Sequence, residues 1–238
     1  MKRIRFLSFN IHGGRSLSGK RDVERIHRLM ERFDIDVGVF QEMETRESKR
    51  ARIGDVERLA GASRPHHLIG PSMIEGDGWY GNLIVSRYPI RRGLVHNLET
   101  KTDLEPRNAV DALIETPLGS VRVIGTHLSL SYVERRSEAK NLLRLIREVE
   151  EKEKNPLFLM GDINEWQWNS QLLDYLDTAL TPLPCHATFP AFLPMFHLDR
   201  VWYDGVDCMK VFAHRLDGKG IRFLSDHLPL VVEMERQA

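Results

Sequence analysis

Cysteine is scarce in this chain of 238 residues, and long hydrophobic runs are missing. Cys185 and Cys208 form no CxxC pair, so the sequence offers neither a disulfide framework nor a cysteine-based zinc site. The sequence contains no run of about 18 apolar residues, so it predicts no transmembrane helix. Residues 1–10 lack the long apolar core of a signal peptide. From these absences we expect a protein of the reducing cytoplasm.

An excess of one charge is also missing, because 34 Lys and Arg residues balance 34 Asp and Glu residues. A protein that holds duplex DNA mainly by neutralising phosphates is usually basic. Neutrality therefore argues against a duplex-binding protein, although charge can be concentrated locally. The length and an apolar content of 42% suit one large α/β domain, or two small ones, with a sizeable core.

The most informative stretch is the apolar run Leu157–Met160, which lies between Pro156 and Gly161. A short run of this kind predicts a strand that is buried on both faces. Asp162 and Asn164 follow it, and residues two apart in a strand point to the same side. Together they could hold a water molecule or a metal ion. The simpler alternative is an Asx turn at the end of a strand.

Apolar periodicity predicts further strands and helices along the chain. The predicted strands are residues 3–9, 37–40, 81–86, 110–114, 121–125, 198–203 and 228–232. The fourth and fifth of these form a predicted hairpin around residues 116–119. The predicted helices are residues 22–33, 47–60 and 170–176. A long helix is also expected to begin at a capping box made by Ser131 and Glu134.

Eight polar residues fall where predicted strands start or end. They are Asn10, Glu42, His127, Asp162, Asn164, Asp199, Asp226 and His227. Each alone has a structural explanation, such as a turn, a helix cap or a core histidine, but eight together are harder to explain in that way. Carboxylates with asparagine match the hard oxygen ligands that Mg²⁺ or Mn²⁺ prefers. Two histidines without cysteine suggest acid–base or phosphate chemistry.

Nine short motifs extend over nearly the whole chain. They are Ser8-Phe9-Asn10-Ile11, Gln41-Glu42, Gly81-Asn82 with Ser86-Arg87-Tyr88-Pro89, Pro106-Arg107, Thr126-His127-Leu128, Gly161-Asp162-Ile163-Asn164, Thr188-Phe189-Pro190, Leu198-Asp199-Arg200-Val201 and Ser225-Asp226-His227. In this order they resemble the endonuclease/exonuclease/phosphatase superfamily, the metal-dependent phosphoesterases with a DNase I-like fold. The resemblance implies an α/β (α+β) fold, a four-layer sandwich of two packed mixed or antiparallel sheets flanked by helices. It also implies a single domain over residues 1–238.

The resemblance implies a metal site and substrate contacts at particular positions. Glu42 would be the principal ligand of Mg²⁺ or Mn²⁺, supported by Asn10 and Asp226. Asn82 and Arg107 would contact the phosphate or the rest of the substrate.

The resemblance likewise implies five catalytic residues. Asp162 would orient or deprotonate the attacking water, and Asn164 would hold water or a phosphate oxygen. His227, oriented by Asp199, would hydrogen-bond a phosphoryl oxygen or assist the leaving group. His127 would contact the scissile phosphate from the other side.

Three functions remain open at this point. The favoured one is a phosphodiesterase or phosphomonoesterase that acts, as a monomer, on a small or lipid-derived phosphoester. The second is a DNA or RNA nuclease of the same superfamily, and the third is a non-catalytic binding module on the same fold. The branch that repairs abasic DNA usually carries Tyr where this chain has His127. The DNase I-like, sphingomyelinase-like and inositol-phosphatase-like branches carry His.

The surroundings of the site are expected to be of mixed charge. The loops after Gly14, Tyr88 and Asn164 are predicted to form its rim, because loops at strand ends carry function. These loops hold Arg15, Lys20, Arg91 and Glu165. Four aromatic residues, Trp79, Tyr80, Trp166 and Trp168, could stack on bases or pack against lipid or the core.

Overall fold

Two β-sheets of six strands each pack face to face in the computed structural model, which describes residues 2–99, 105–152, 154–167, 169–206 and 209–236. Trp168 and Cys208 lie outside the described residues. The strands are β1 (Arg3–Asn10), β2 (Val37–Glu44), β3 (His66–Glu75), β4 (Gly78–Ser86), β5 (Ile90–Asn97), β6 (Asn108–Thr116), β7 (Gly119–His127), β8 (Leu157–Asp162), β9 (Thr181–Leu183), β10 (Asp199–Asp204), β11 (Met209–Arg215) and β12 (Leu230–Arg236).

Each sheet contains one parallel pair of strands at its centre. The first sheet has the order β11-β12-β1-β2-β4-β3, and the second has the order β5-β6-β7-β8-β10-β9. β1 is parallel to β2 and β7 is parallel to β8, whereas the other neighbours are antiparallel. The carboxyl ends of a parallel pair lie at the same edge of a sheet, so each sheet brings two strand ends together.

Four α-helices in the described part of the chain cover the outer faces of the sheets. They are α1 (Val23–Arg32), α2 (Asp55–Ala60), α3 (Tyr132–Lys152) and α4 (Gln171–Asp177). Residues of α1 and α2 share an apolar cluster with the first sheet, and residues of α3 and α4 share one with the second. The layers are therefore helix, sheet, sheet and helix, which confirms the predicted four-layer sandwich.

Side-chain alternation along β1 explains how one strand serves two cores. Ile4 and Phe6 point into the cluster between the sheets, whereas Leu7 and Phe9 point into the cluster beneath the helices. All four side chains are buried. Burying each such side chain contributes about 1.5–3 kcal/mol. A strand covered on both sides loses the apolar–polar alternation of a surface strand and becomes a continuous apolar run.

Two predicted helical features differ from the structure. Residues 47–60 form a short 3-10 turn, Glu47–Lys49, followed by α2, because Arg50 and Gly54 have left-handed φ angles of 67° and 79°. A left-handed residue interrupts a right-handed helix. The expected capping box at Ser131 is absent: Ser129, not Ser131, donates a hydrogen bond to Glu134, at 2.6 Å.

Strands β3, β5, β9 and β11 were not predicted from the sequence. These four strands are the edge strands of the two sheets, and many of their side chains are exposed. Edge strands of this kind lack a strong apolar signal. The predicted hairpin is confirmed, because β6 pairs with β7 around residues 116–119. Among the described residues, no helix is long and apolar enough to cross a membrane.

Candidate active site

A cavity of about 480 Å³ lies where the carboxyl ends of the two parallel strand pairs meet. Eight of the ten residues predicted from the sequence line it: Asn10, Glu42, Arg107, His127, Asp162, Asn164, Asp226 and His227. Asp199 and Asn82 do not line this cavity. Asp199 is buried behind His227, and Asn82 donates a hydrogen bond to the side chain of Asn108, at 2.9 Å.

Strand register in the second sheet brings three of these residues together. Asp162, the last residue of β8, pairs with His127 on β7 and with Asp199 on β10. Gly161 precedes it with a φ angle of 154°, and a Cβ atom at this position would lie 1.9 Å from the carbonyl oxygen of Thr126. Only glycine fits between the two strands here, and this close approach positions the Asp162 carboxylate beside His127.

A bulge in β2 directs Glu42 into the cavity. The register with β4 shifts between Phe40 and Met43, and Glu42 has a left-handed φ angle of 60°. His12 and Asn164, which also line the cavity, have φ angles of 47° and 53°. Left-handed backbone costs a non-glycine residue about 1–3 kcal/mol and concentrates at functional sites. The backbone is thus strained at three positions around one cavity.

The amide of Asn10 joins the two sheets at this point. Its Nδ2 donates to Glu42 Oε1 at 2.8 Å and to Asp162 Oδ2 at 3.0 Å. Its Oδ1 accepts a hydrogen bond from the backbone N–H of His12 at 3.1 Å. Asn10 therefore presents its nitrogen, rather than its oxygen, to the two carboxylates, and it holds them a fixed distance apart.

His227 lies between two carboxylates. Its Nδ1 is 2.8 Å from Asp199 Oδ2, and its Nε2 is 3.5 Å from Asp162 Oδ2. Burial alone would lower the pKa of His227, but the negative charges of Asp199 and Asp162 outweigh it and raise the pKa to about 10. Burial raises the pKa of Asp162 to about 6, and the positive charge of His227 opposes that shift. Phe189 packs against the imidazole, with ring centroids 4.8 Å apart.

His127, in contrast to His227, lies beside positively charged and amide groups. Its Nδ1 is 3.1 Å from an Arg107 guanidinium nitrogen, and its Nε2 is 3.1 Å from Asn164 Nδ2. Burial, with the positive charges of Arg107 and His227, holds the pKa of His127 well below its usual value. The cavity therefore contains one histidine that favours the charged form and one that favours the neutral form.

Several lining residues were not assigned to the site from the sequence. His12 Nδ1 lies 3.5 Å from Asp226 Oδ2 and 3.7 Å from Glu42 Oε2. Tyr80 hydrogen-bonds Glu42, and burial together with the charges of Glu42 and Glu105 raises the pKa of its phenol. No role was predicted for His12 from the sequence, and Tyr80 was predicted only as an aromatic residue that could stack on bases or pack against lipid or the core.

One wall of the cavity is apolar. It is lined by Leu130, Trp166, Phe189, Phe196 and Leu198, and Leu130, Trp166 and Phe196 are exposed to solvent. The Trp166 ring stacks on the guanidinium of Arg135, whose central carbon is 5.1 Å from the ring centroid.

The predicted rim is only partly found at the cavity. Of the rim loops, the one after Asn164 contributes Trp166. Arg15, Lys20 and Arg91 do not line the cavity, and Arg15 donates to the carbonyl oxygen of Lys49 instead. Glu165 is fully buried against Arg135 rather than exposed at the rim. Trp79 packs at the edge of the apolar cluster beneath α1 and α2.

Two groups of side chains have the composition of a metal site. Asp162, Asp199 and His227 place one atom each within 4.8 Å of one another, but all three are buried and His227 is hydrogen-bonded to Asp199. Glu42, Asp226 and His12 are more open, with side chains 22%, 34% and 49% exposed. Among the described residues, these two carboxylates form ion pairs only with His12, so no arginine or lysine neutralises them. Carboxylates that are partly exposed and not paired with arginine or lysine can bind a divalent cation.

Comparison with known proteins identifies the class of this chain. The Endonuclease/Exonuclease/phosphatase family matches residues 7–227, so the chain belongs to this family. Its superfamily consists mostly of hydrolytic phosphoesterases.

Particular relatives extend the comparison. The uncharacterized protein YbhP of Escherichia coli strain K12 is 28% identical over 188 residues, which are 75% of this chain and 72% of YbhP. The mannosyl-6-phosphatase Bt3783 of Bacteroides thetaiotaomicron VPI-5482 has a similar fold, with a TM-score of 0.75, 16% identity and coverage of 98% and 99% of the two chains. The human Nocturnin catalytic domain with a bound sulfate anion gives a TM-score of 0.73, 17% identity and coverage of 99% and 95%.

Proposed function

We propose that the protein is a phosphoesterase that depends on Mg²⁺ or Mn²⁺ and hydrolyses a phosphodiester or phosphomonoester by in-line attack of water. The observation that carries the proposal is the arrangement around Asp162. Its carboxylate lies 3.5 Å from Nε2 of His227 and accepts a hydrogen bond from Asn10, which also bridges to Glu42. A base for water, a charged imidazole and two further carboxylates, Glu42 and Asp226, therefore face one cavity.

Each residue has a role that its contacts support. Asp162 orients the attacking water and accepts its proton, which is general base work worth about 10²–10⁴ in rate. His227 is held protonated by its carboxylate partners and donates to a phosphoryl oxygen or to the leaving group. Asp199 acts only through His227, because it is buried behind the ring.

Residues on the other side of the cavity hold the phosphoryl group. His127 and Asn164, 3.1 Å apart, face the same space from β7 and from the loop after β8. Arg107 lines the cavity, where its guanidinium lies 3.1 Å from Nδ1 of His127 and 2.9 Å from Glu105. A guanidinium in this position suits a phosphate oxygen. Asn82 positions this region through Asn108 rather than by touching the substrate.

Glu42 and Asp226 would hold the metal ion, with Asn10 fixing the orientation of Glu42. A bound divalent cation would supply positive charge to the phosphoryl oxygens as negative charge develops on them.

The apolar wall favours a small or lipid-derived phosphoester, and among the described residues Arg107 and histidines are the only cationic side chains that line the cavity. Trp166, Leu130 and Phe196 offer an apolar surface beside the phosphoryl machinery, where the organic part of such a substrate would lie. A nuclease is the second candidate, because the Trp166 ring stacked on Arg135 would also accept a base. A non-catalytic binding module is disfavoured, since the acid, base and carboxylate groups occur together. We further propose that the chain acts as one domain and as a monomer.

A substrate panel tests this function. Purified protein with Mg²⁺ or Mn²⁺ is assayed against bis-p-nitrophenyl phosphate, sphingomyelin, inositol phosphates, plasmid DNA and abasic DNA. We expect hydrolysis of one of the small or lipid-derived phosphoesters, and loss of that activity when EDTA removes the metal. Preferential cleavage of either DNA substrate would support the nuclease instead. No turnover of any substrate with either metal would favour the binding module.

A further inference from the structure

We propose that His12 is a metal ligand in this site, through Nδ1 and together with Glu42 and Asp226, and that it shifts the metal preference of the site from Mg²⁺ towards Mn²⁺. This inference rests on the proposed function, because it concerns the same metal. No role was predicted for His12 from the sequence.

The distances around His12 fit a shared metal better than hydrogen bonds. Its Nδ1 is 3.5 Å from Asp226 Oδ2 and 3.7 Å from Glu42 Oε2, both longer than the ~2.7–3.2 Å of a hydrogen bond. Donors about 2.1 Å from one metal ion lie roughly 3.0–3.5 Å from one another in octahedral or tetrahedral geometry. The imidazole nitrogen therefore lies close to one oxygen of each carboxylate without a hydrogen bond to either. The two carboxylates would move closer together when a metal ion binds.

The backbone of the turn that carries His12 is held by hydrogen bonds. His12, Gly13 and Gly14 have consecutive left-handed φ angles of 47°, 63° and 71°. The backbone N–H of His12 donates to Asn10 Oδ1, and its carbonyl oxygen accepts from the N–H of Arg15 at 3.0 Å. Arg21 Nε donates to the carbonyl oxygen of Gly13 at 2.8 Å. These bonds fix the backbone of the turn, and with it the position of the His12 Cα atom, before any metal arrives.

The orientation of the Asn10 amide keeps its oxygen away from the metal site, so His12 can be the third ligand. Asn10 directs its amide nitrogen to Glu42, and its oxygen accepts from the backbone of His12. In this orientation the amide cannot offer its oxygen to a metal beside Glu42. The imidazole of His12 is the side chain that faces both Glu42 and Asp226 at that place.

An imidazole nitrogen changes which metal the site prefers. Mg²⁺ is a hard cation that binds oxygen ligands and keeps several water molecules. Imidazole nitrogen is a softer donor and suits transition metals, which bind nitrogen more strongly than Mg²⁺ does. With two carboxylates and one imidazole, the site should therefore gain affinity for Mn²⁺ relative to Mg²⁺.

Pulsed electron paramagnetic resonance of Mn²⁺ bound to the full chain tests the proposal without using activity. We expect nitrogen-14 modulation from a directly bound imidazole in the wild type, and its loss in His12→Asn. Asparagine tolerates left-handed backbone, so this variant should keep the turn. His67→Gln, which changes an exposed histidine on β3, is the matched control and should keep the modulation.

Calorimetry supplies a second readout for the same variants. The ratio of Mn²⁺ to Mg²⁺ affinity should fall in His12→Asn by roughly 10-fold or more, since even partners of metal ligands change affinity by about 10–100-fold. Unchanged modulation in His12→Asn, or Mn²⁺ bound to the wild type without nitrogen coupling, would overturn the assignment of His12 and leave the proposed function standing. Failure of the wild type to bind either metal would overturn the proposed function as well.

Discussion

Asp199 reaches the cavity only through His227. Its Oδ2 lies 2.8 Å from Nδ1 of the histidine and also accepts a hydrogen bond from the hydroxyl of Thr188, while the residue itself is fully buried. The pair leaves Nε2 of His227 facing the cavity, 3.5 Å from Asp162. An interaction of this kind fixes the tautomer and orientation of an imidazole.

This pairing predicts that Asp199 and His227 act as a unit. Asp199→Asn should reduce turnover less than His227→Ala, because Asp199 acts only by orienting and charging the histidine. The double variant should lose about as much as His227→Ala alone, since residues that act through one another are not additive. Single-turnover rates of the three variants measure this. Asp204→Asn, an exposed carboxylate on the same strand, is the control. If the double loss equals the sum of the single losses in log units, the pairing is wrong.

The metal assignment predicts a specific effect at Glu42. Glu42→Gln should abolish most activity and weaken Mn²⁺ and Mg²⁺ binding, because it removes one ligand charge at constant size. The fold should persist, since glutamine can still accept from Asn10. Calorimetric titration of metal into the wild type, Glu42→Gln and the control Glu47→Gln, an exposed residue nearby, measures this. Unchanged metal affinity and activity in Glu42→Gln would contradict the role given to Glu42.

The residues that could be predicted from the sequence follow buried apolar runs. Asn10 and Asp162 come at the ends of such runs in β1 and β8, and His127 ends β7. A strand buried on both faces can be predicted because it is a continuous apolar run. The polar residue that ends the run is then expected at the edge of the sheet. The meeting of these residues then follows from the parallel pairs, which place strand ends on one edge.

Other parts of the site depend on backbone geometry that composition does not reveal. Glu42 enters the cavity because of a bulge and a left-handed φ angle. Tyr80 lies beside Glu42 in a region where β4 has shifted register against both β2 and β3. His12 belongs to a turn that contains two glycines. Glycines predict that the chain turns, but they do not predict which side chains the turn brings together. The part of the predicted rim that included Arg15 is not found at the cavity, because Arg15 donates a hydrogen bond to the carbonyl oxygen of Lys49, a contact between distant segments.

A stability prediction concerns the support of the apolar wall. Arg135 is buried, and its guanidinium lies 3.4 Å from the fully buried carboxylate of Glu165. Arg135→Ala should lower the free energy of unfolding by about 3–5 kcal/mol, because it leaves a buried charge without its cation. Adding Glu165→Gln should recover part of that loss. Urea denaturation measures these changes, with Arg144→Ala, an exposed position on α3, as the control. A loss no larger than that of the control would contradict the pairing.

Weak duplex binding is the prediction that separates the two leading functions. Net charge is zero, and Arg107 is the only arginine or lysine among the described residues that line the cavity. Few phosphate contacts give weak binding and a shallow salt dependence. We therefore expect fluorescence anisotropy with labelled duplex DNA to detect no submicromolar binding at ~0.15 M salt. Submicromolar affinity with a steep salt slope would favour the nuclease.

The central claim is that water, positioned by Asp162, attacks phosphorus in a metal-dependent hydrolysis. The most direct measurement is turnover of the best panel substrate in water enriched in oxygen-18, with mass spectrometry of both products. We predict that the phosphate product takes up one labelled oxygen, that the alcohol product takes up none, and that both products disappear with EDTA or in Asp162→Asn. Label in the alcohol, or hydrolysis that survives removal of the metal, would contradict the account.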